Sequence, residues 1–437
     1  MPGTGAGGDV SLLTDLYQLT MLQSYWRRGM NEPATFDLFV RHLPANRRFL
    51  VSCGLERALE YLSDLRFDED SVAYLRSLER FEEGFLGWLG AFRFTGDVSA
   101  TPEGEVAFAG EPLLRVTAPL PEAQLVETFL LNAVLYATGV ASKAARVVIA
   151  ARGRDVVDFS ARRDHGVDAA LTAARAAYVA GVAGTSNVLA GKRFGIPVVG
   201  TMAHSYVMAF DDEESAFRAY AEEFPDGAIL LVDTYDTEQG LRRAAEVGRE
   251  MATRGAMLRG VRLDSGDVIA LARMARSILD EAGLTDTRIL VSGDLNEWRV
   301  DEIVNAGAPV DAFGVGTEMG VVADAPALPG VYKLAEYAGR GRRKTSPKKE
   351  SIPGRKQVWR REGYADLIAA EHEDVPDARP LLQPVMRSGR IEDTGGLAEA
   401  RERCATALAS LPDALRDLSP CAPDTGPRPV VSDALRA

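Results

Sequence analysis

The chain has 437 residues, 46% hydrophobic and 26% charged, with a net charge of −13. That length points to two or three structural units, and the acidic balance excludes a non-specific nucleic-acid binder, whose phosphate-facing surface would be basic. No stretch reads as the roughly 18 apolar residues of a membrane span. Cys53, Cys404 and Cys421 are too scattered for a disulfide framework or a CxxC zinc site, so a reducing cytoplasm is expected.

MPGTGAGGDVS at the start lacks the basic-then-apolar layout of a signal peptide and reads as a short flexible arm. Residues 11–30, SLLTDLYQLTMLQSYWRRGM, place apolar side chains at helical spacing after a Ser/Thr/Asp start. Residues 34–40 and 92–117 alternate between glycines and prolines, which predicts a small antiparallel β unit. A long apolar helical stretch follows over 121–151, with a break expected at Gly139.

From there seven strand-like runs end in polar clusters: 156–166, 181–187, 198–205, 228–237, 257–267, 288–297 and 310–320. Helical stretches separate them, such as the one carrying Val268, Leu271, Ala275, Ile278 and Leu279 on one face. This is the rhythm of parallel βα units. An open sheet gathers its ligand groups at one switch point, whereas a barrel draws them from every strand onto one C-terminal face. Nearly all seven ends carry Asp, Arg, Ser, Thr or His, so an α/β fold with a βα barrel is expected. Beyond residue 335 come a segment with ten Lys/Arg and one acid (339–361), a helical stretch near 398–417, and a tail, LSPCAPDTGPRP, expected to be poorly ordered. The basic segment suits either a solvated loop or a patch for an anionic small molecule.

Gathered on one face, the strand ends supply Arg162, Arg163 and Arg262, Asp264, Asp267 and Asp294, Ser186, Thr201, Thr317 and His204, and Gly293, Gly314 and Gly316. Glycines and small hydroxyls beside helix starts suit phosphate, because free backbone N–H groups face the anion. Arginine grips a planar carboxylate in a bidentate fork, and carboxylates near phosphates suggest Mg²⁺. Only four histidines occur, with no HxxxH or HExxH spacing, which argues against His204 as a zinc ligand. The runs LDSGD and SGDLNE also fit plain helix capping, and Arg162–Arg163 fits a surface pair.

TDLYQLTM (14–21), FSARRDHG (159–166), AGTSNVLAGKRFGIPVVGTMAHS (183–205), RLDSGD (262–267), SGDLNE (292–297) and GVGTEMG (314–320) occur in the order found in the nicotinate phosphoribosyltransferase family, which the chain resembles from about residue 11 to 361. The resemblance implies an irregular type II phosphoribosyltransferase barrel at 131–335, and a second α+β domain in which 336–437 packs back on 1–130. It implies the formation of nicotinate mononucleotide and pyrophosphate from nicotinate and phosphoribosyl pyrophosphate, with Mg²⁺ and coupled ATP hydrolysis, in NAD salvage. Tyr17 would stack on the pyridine ring in the neighbouring site of a homodimer, with Phe159 on the ring's other face. Arg162, Thr201 and Arg262 resemble the groups that hold nicotinate, with Arg262 reaching either its carboxylate or the ribosyl substrate. Asp264, Gly293, Gly316 and Thr317 match the ribose-phosphate end, Mg²⁺ arriving with the phosphates beside Asp264. His204 aligns with the histidine that ATP transiently phosphorylates.

The nicotinamide-specific relatives carry an acid in the GTSN element where this chain has Ser186. A carboxylate there would repel a carboxylate substrate, so Ser186 favours nicotinate. The alternatives are nicotinamide phosphoribosyl transfer and a non-catalytic relative that binds nucleotide or nicotinate.

Overall fold

From Asp155 onward, in a computed structural model that describes residues 10–346 and 351–436, short parallel strands alternate with helices. They lie in a unit spanning Lys143–Asp324; the chain before it, to Ser142, and after it, from Ala325, forms another. Helix Val268–Glu281 shows how the repeat is encoded. The Asp267 carboxylate accepts from the amides of Ile269 and Ala270, and Val268, Ala272, Ala275, Ile278 and Leu279 are its buried face.

The strands of this unit are β1 (Asp155–Asp158), β2 (Gly184–Thr185), β3 (Ile229–Leu231), β4 (Gly260–Leu263), β5 (Arg288–Val291) and β6 (Ala312–Val315). They pair in parallel in the order β2-β1-β6-β5-β4-β3. Read as a ring, that order follows the sequence with one seam, between β2 and β3, so this is an irregular βα barrel rather than an open doubly wound sheet. Val157, Phe159, Leu290 and Ala312 pack together inside it, with Val199 against them. The expected strand at 198–205 is reduced to one parallel bridge, Val198 to Thr185, before the chain turns into helix His204–Met208. The apolar run Ile196–Val199 is interrupted by Pro197, which has no N–H to donate to a ladder, and ends at Gly200, so it does not complete the ring.

The other unit carries a sheet in the order Arg340–Gly341, Gly330–Tyr337, Pro33–Val40, Pro112–Pro119, Asp97–Ala100, Gln383–Arg387, Arg390–Ile391, antiparallel throughout. Three early strands lie together at its centre with two late strands on either side, so both ends of the chain build the second, α+β, domain. Phe36 stacks on Tyr332 at 4.8 Å between ring centres, joining an early strand to a late one. A smaller sheet holds Arg379–Pro380, Lys356–Arg360, Asp366–Ala370 and Val430–Val431.

Several expectations change here. Helix Glu127–Ala151 runs unbroken through Gly139, because one helical glycine costs only about 1 kcal/mol and its neighbours Val140 and Ala141 are fully buried; the break falls instead after Leu125. This helix is long and apolar enough to cross a membrane, contrary to the reading of the sequence, but 72% of its apolar window is buried as core. The helix also carries the division between units past residue 130, to 142, and the return falls at 325 rather than 335. The proline-rich tail is ordered: the Asp424 carboxylate accepts from the Leu43 amide and lies 3.0 Å from His42, the Cys421 amide donates to Asn46, and Val430–Val431 pair with Leu367–Ile368. The N-terminal arm lies outside the described residues up to Asp9.

The basic segment divides in two. Lys356 is buried against Asp37 at 2.6 Å, Arg360 lies 2.5 Å from Asp366 and 2.8 Å from Glu105, and Arg355 pairs with Glu336. Arg340, Arg342, Arg343 and Lys344 are exposed, and Lys348 and Lys349 lie outside the described residues. Burial, with Asp366 beside it, pushes the Glu111 carboxyl well above the usual range, and Arg360 is the cation facing this group of acids. Removing one member of a buried ion cluster strands the others, at a cost of about 3–5 kcal/mol. Arg360→Ala is therefore expected to lower the melting temperature sharply. Arg342→Ala, whose guanidinium lies exposed over Tyr337, should change stability by no more than about 0.5 kcal/mol. Thermal denaturation of the two variants checks this.

Candidate active site

Five of the six barrel strands hand a polar residue to the C-terminal end, and the sixth a glycine. Asp158 closes β1, Thr185 closes β2, and Asp233, Asp264, Ser292 and Gly316 follow β3 to β6. Apolar residues before them are held by the sheet, which fixes where these first polar groups emerge.

Arg262, on β4, is the hub. Its Nε donates to Ser292 Oγ at 2.8 Å, its Nη1 to Thr201 Oγ1 at 3.0 Å and the Met202 carbonyl at 3.3 Å, and its Nη2 to Asp264 Oδ1 at 2.6 Å. The guanidinium also lies 5.6 Å from the centre of the Phe159 ring. Ser292 Oγ donates to the same Asp264 oxygen at 2.5 Å. Burial pushes the Asp264 carboxyl up, but Ser292, Arg262 and His204 outweigh it and hold it below the usual carboxylate range. Asp264 is therefore an anion at neutral pH with one oxygen committed, and its Oδ2 lies 3.8 Å from His204 Nε2. The other imidazole nitrogen, Nδ1, is 3.2 Å from Thr234 Oγ1.

Behind this row sits Asp233, whose Oδ2 accepts from the Asp264 amide and the Ser265 hydroxyl, both at 2.8 Å. Asp158 does the same on the far side of the seam, accepting from the Ser160 amide at 2.9 Å and the Thr185 hydroxyl at 2.7 Å. The FSARRDHG turn is pinned through Ser160 Oγ, which donates to Asp164 Oδ2 at 2.9 Å. Burial, with the Asp158 charge added, pushes the Asp164 carboxyl up to about 6.

Two glycines are required by geometry. Gly293 has φ +90°, and a Cβ there would overlap the Asp264 carbonyl oxygen; Asp294 follows at φ +45°. Gly314 leaves room for the Phe159 ring, which a Cβ would enter. Phe159 is consequently a held slab, only 9% exposed.

Of the residues singled out in the sequence, the barrel brings together Phe159, Thr201, His204, Arg262 and Asp264 by direct contact. Gly293 touches the same group through Asp264, and Gly316 closes against the Phe159 carbonyl. Ser186, half-buried, donates its amide to the Asp158 carbonyl beside Thr185. Arg162 and Thr317 are exposed on flanking turns, and Asp267 is a helix cap. Tyr17 belongs to the other unit, where it is 49% exposed. Reasoning from sequence assigns no role to Asp158, Thr185, Asp233, Thr234 or Ser292. Each is the first polar residue, or next to it, after an apolar strand, and that position is the signal that marks it.

Gly293→Ala introduces both a strained φ and a clash with Asp264, so it is expected to abolish turnover while the far-ultraviolet circular dichroism stays native; an active Gly293→Ala protein would remove this turn from the site.

Sequence profiles of the nicotinate phosphoribosyltransferase N-terminal domain and of the nicotinate phosphoribosyltransferase family match residues 12–135 and 155–325. The chain is 47% identical over 422 residues to a nicotinate phosphoribosyltransferase of Mycobacterium tuberculosis, covering 95% of this chain and 90% of that one. It is 43% identical over 386 residues to the Bacillus subtilis enzyme of that name, covering 85% and 78%. Among solved structures, human nicotinic acid phosphoribosyltransferase superposes with a TM-score of 0.86 at 30% identity, over 97% of this chain and 98% of that one. With matches of this extent and a barrel mouth built around Arg262 and Asp264, the chain belongs to the nicotinate phosphoribosyltransferase family.

Proposed function

We propose that this protein transfers the phosphoribosyl group of phosphoribosyl pyrophosphate to nicotinate, giving nicotinate mononucleotide and pyrophosphate in NAD salvage, and that ATP hydrolysis is coupled to the transfer through phosphorylation of His204. The observation that carries the reading is the Arg262 guanidinium over the Phe159 ring, held on one edge by Asp264 and Ser292. Its Nη1 rests on two neutral oxygens, Thr201 Oγ1 and the Met202 carbonyl. A substrate carboxylate makes a stronger, charge-assisted bond than either, so that edge is where nicotinate docks, with its ring on Phe159. Ser186 leaves the pocket without a competing carboxylate.

As the pyridine nitrogen attacks the anomeric carbon, the bond to pyrophosphate breaks and positive charge builds on the ribose ring. Asp264, kept ionised by its partners, faces that charge. The Gly293 and Gly316–Thr317 turns offer backbone N–H groups to the phosphates. Among the described residues no group of three or more His, Cys, Asp or Glu is placed to hold a metal. A Mg²⁺ that arrives with its substrate would take one carboxylate, that of Asp264, and would neutralise the leaving pyrophosphate.

In the tautomer that donates from Nδ1 to Thr234, His204 Nε2 carries a lone pair beside Asp264. That nitrogen accepts the γ-phosphoryl group of ATP with ADP as leaving group, and water later releases the phosphate. Tyr17 completes the pyridine sandwich from a second copy in a homodimer, a reading supported by the exposure of Leu13, Leu16 and Tyr17 together. Three free cysteines suit a cytoplasmic location.

Purified protein with phosphoribosyl pyrophosphate and Mg²⁺ should convert nicotinate and not nicotinamide, faster with ATP than without; equal use of both pyridines would refute the acid specificity. Ser186→Asp should lower kcat/KM for nicotinate about tenfold or more, a barrier increase of roughly 1.4 kcal/mol, while unchanged kinetics would sink the role of Ser186. His204→Ala should lose ATP stimulation and acid-labile phosphorylation yet retain basal ribosyl transfer, and a variant that still phosphorylates would return His204 to a structural role.

A further inference from the structure

Behind the barrel mouth lies a set of charges that the reaction above does not use. Lys143, fully buried, has its Nζ 2.6 Å from Glu297 Oε2 and 2.9 Å from Asp324 Oδ1. One turn along the same helix, Arg146 Nε donates to Glu297 Oε1 at 2.9 Å. Both cations lie over the Trp298 ring, 4.8 and 5.8 Å from its centre. Two cations and two carboxylates make the quartet neutral.

Glu297 opens the helix that follows the Ser292–Gly293–Asp294 turn, and Asp324 ends the turn after helix Thr317–Gly320. One ammonium therefore bridges the distal ends of the two glycine turns assigned above to the phosphates. Those turns contain backbone that does not hold itself. Gly293 and Asp294 are left-handed, at φ +90° and +45°, and Val322, buried and β-branched, is left-handed at φ +50°. Such conformations persist only where the surroundings over-determine them. Buried ion pairs add little stability over apolar packing of the same volume, and their best-attested use is to fix register.

We propose that Lys143 is a positioning residue for phosphoribosyl pyrophosphate: by bridging Glu297 to Asp324 it locks the 292–297 and 314–324 turns in the spacing that the substrate's two phosphate ends require. The proposal rests on the function proposed above and adds to it a residue that touches no substrate. It predicts an asymmetry that loss of stability alone does not produce. Arg262 and Phe159 stand on β4 and just after β1 and touch these turns only through Ser292 and Gly314–Gly316, and Arg262 keeps its Asp264 and Thr201 contacts, so nicotinate binding should change less than that of phosphoribosyl pyrophosphate.

The test is steady-state kinetics and calorimetric binding of Mg²⁺–phosphoribosyl pyrophosphate and of nicotinate to the full chain, with Lys143→Met, Lys143→Arg and Asp324→Asn. Lys143→Met should raise KM for phosphoribosyl pyrophosphate about tenfold or more while KM for nicotinate stays within about twofold, and Lys143→Arg should restore part of the loss. Asp324→Asn leaves the Lys143–Glu297 pair in place and should show the same asymmetry in weaker form; it decides the matter if Lys143→Met does not fold. Folded variants with wild-type KM for phosphoribosyl pyrophosphate, or with both KM values raised equally, would overturn the proposal. Failure of the unmodified protein to bind phosphoribosyl pyrophosphate would instead overturn the function on which it rests.

Discussion

The Arg262 guanidinium is the interaction on which the site depends. It donates to three parts of the barrel mouth at once: Ser292 after β5, Asp264 after its own strand, and the Thr201–Met202 segment at the seam. A lysine could not reproduce this, because only a rigid planar fork reaches three acceptors in fixed directions. The same contacts keep Asp264 ionised, and Asp264 in turn faces His204. In the proposed reaction, recognition of a carboxylate, stabilisation of a cationic ribose and phosphorylation of an imidazole would share one electrostatic centre. A change in any of the three should be felt by the others.

Among the described residues, two clusters of buried charge serve different ends. In the terminal unit, Arg360 and Lys356 neutralise Glu105, Asp366 and Asp37, tying a late strand to early ones. Strands from both ends need such ties, because neither end of the chain carries a complete sheet. In the barrel, Lys143 and Arg146 meet Glu297 and Asp324 at the ends of two turns rather than between strands. One set holds a fold together and the other holds loops in place.

Much of the barrel was legible in the sequence, because each strand ends in a polar cluster that also starts a helix, and the constraint is local. His204, Arg262 and Asp264 could be placed at one face on that ground, whereas Phe159 came to the site only through the family resemblance. The seam was not legible: VVGTMAHS has the composition of a strand end, and only the absence of a pairing partner beyond Val198 makes it a loop and short helix. Asp233, Thr234 and Ser292 were hidden because their roles depend on which strands adjoin, β3 with β4 and β4 with β5. The run 339–361 looked like one basic patch, yet Lys356 and Arg360 are paired with acids some 250 to 320 residues earlier, partners no local pattern reveals. Helix 127–151 failed to break at Gly139 for a similar reason, since burial on both sides outweighs one glycine's propensity.

The central claim is that nicotinate docks by its carboxylate on the Nη1 edge of Arg262, in place of the neutral oxygens there, while its ring lies on Phe159. A crystal structure of the protein with bound nicotinate tests it most directly. The account predicts a carboxylate oxygen within about 2.7–2.9 Å of Arg262 Nη1, with the Asp264 and Ser292 contacts intact. A carboxylate bound elsewhere, with Nη1 still on Thr201 and the Met202 carbonyl, would contradict it.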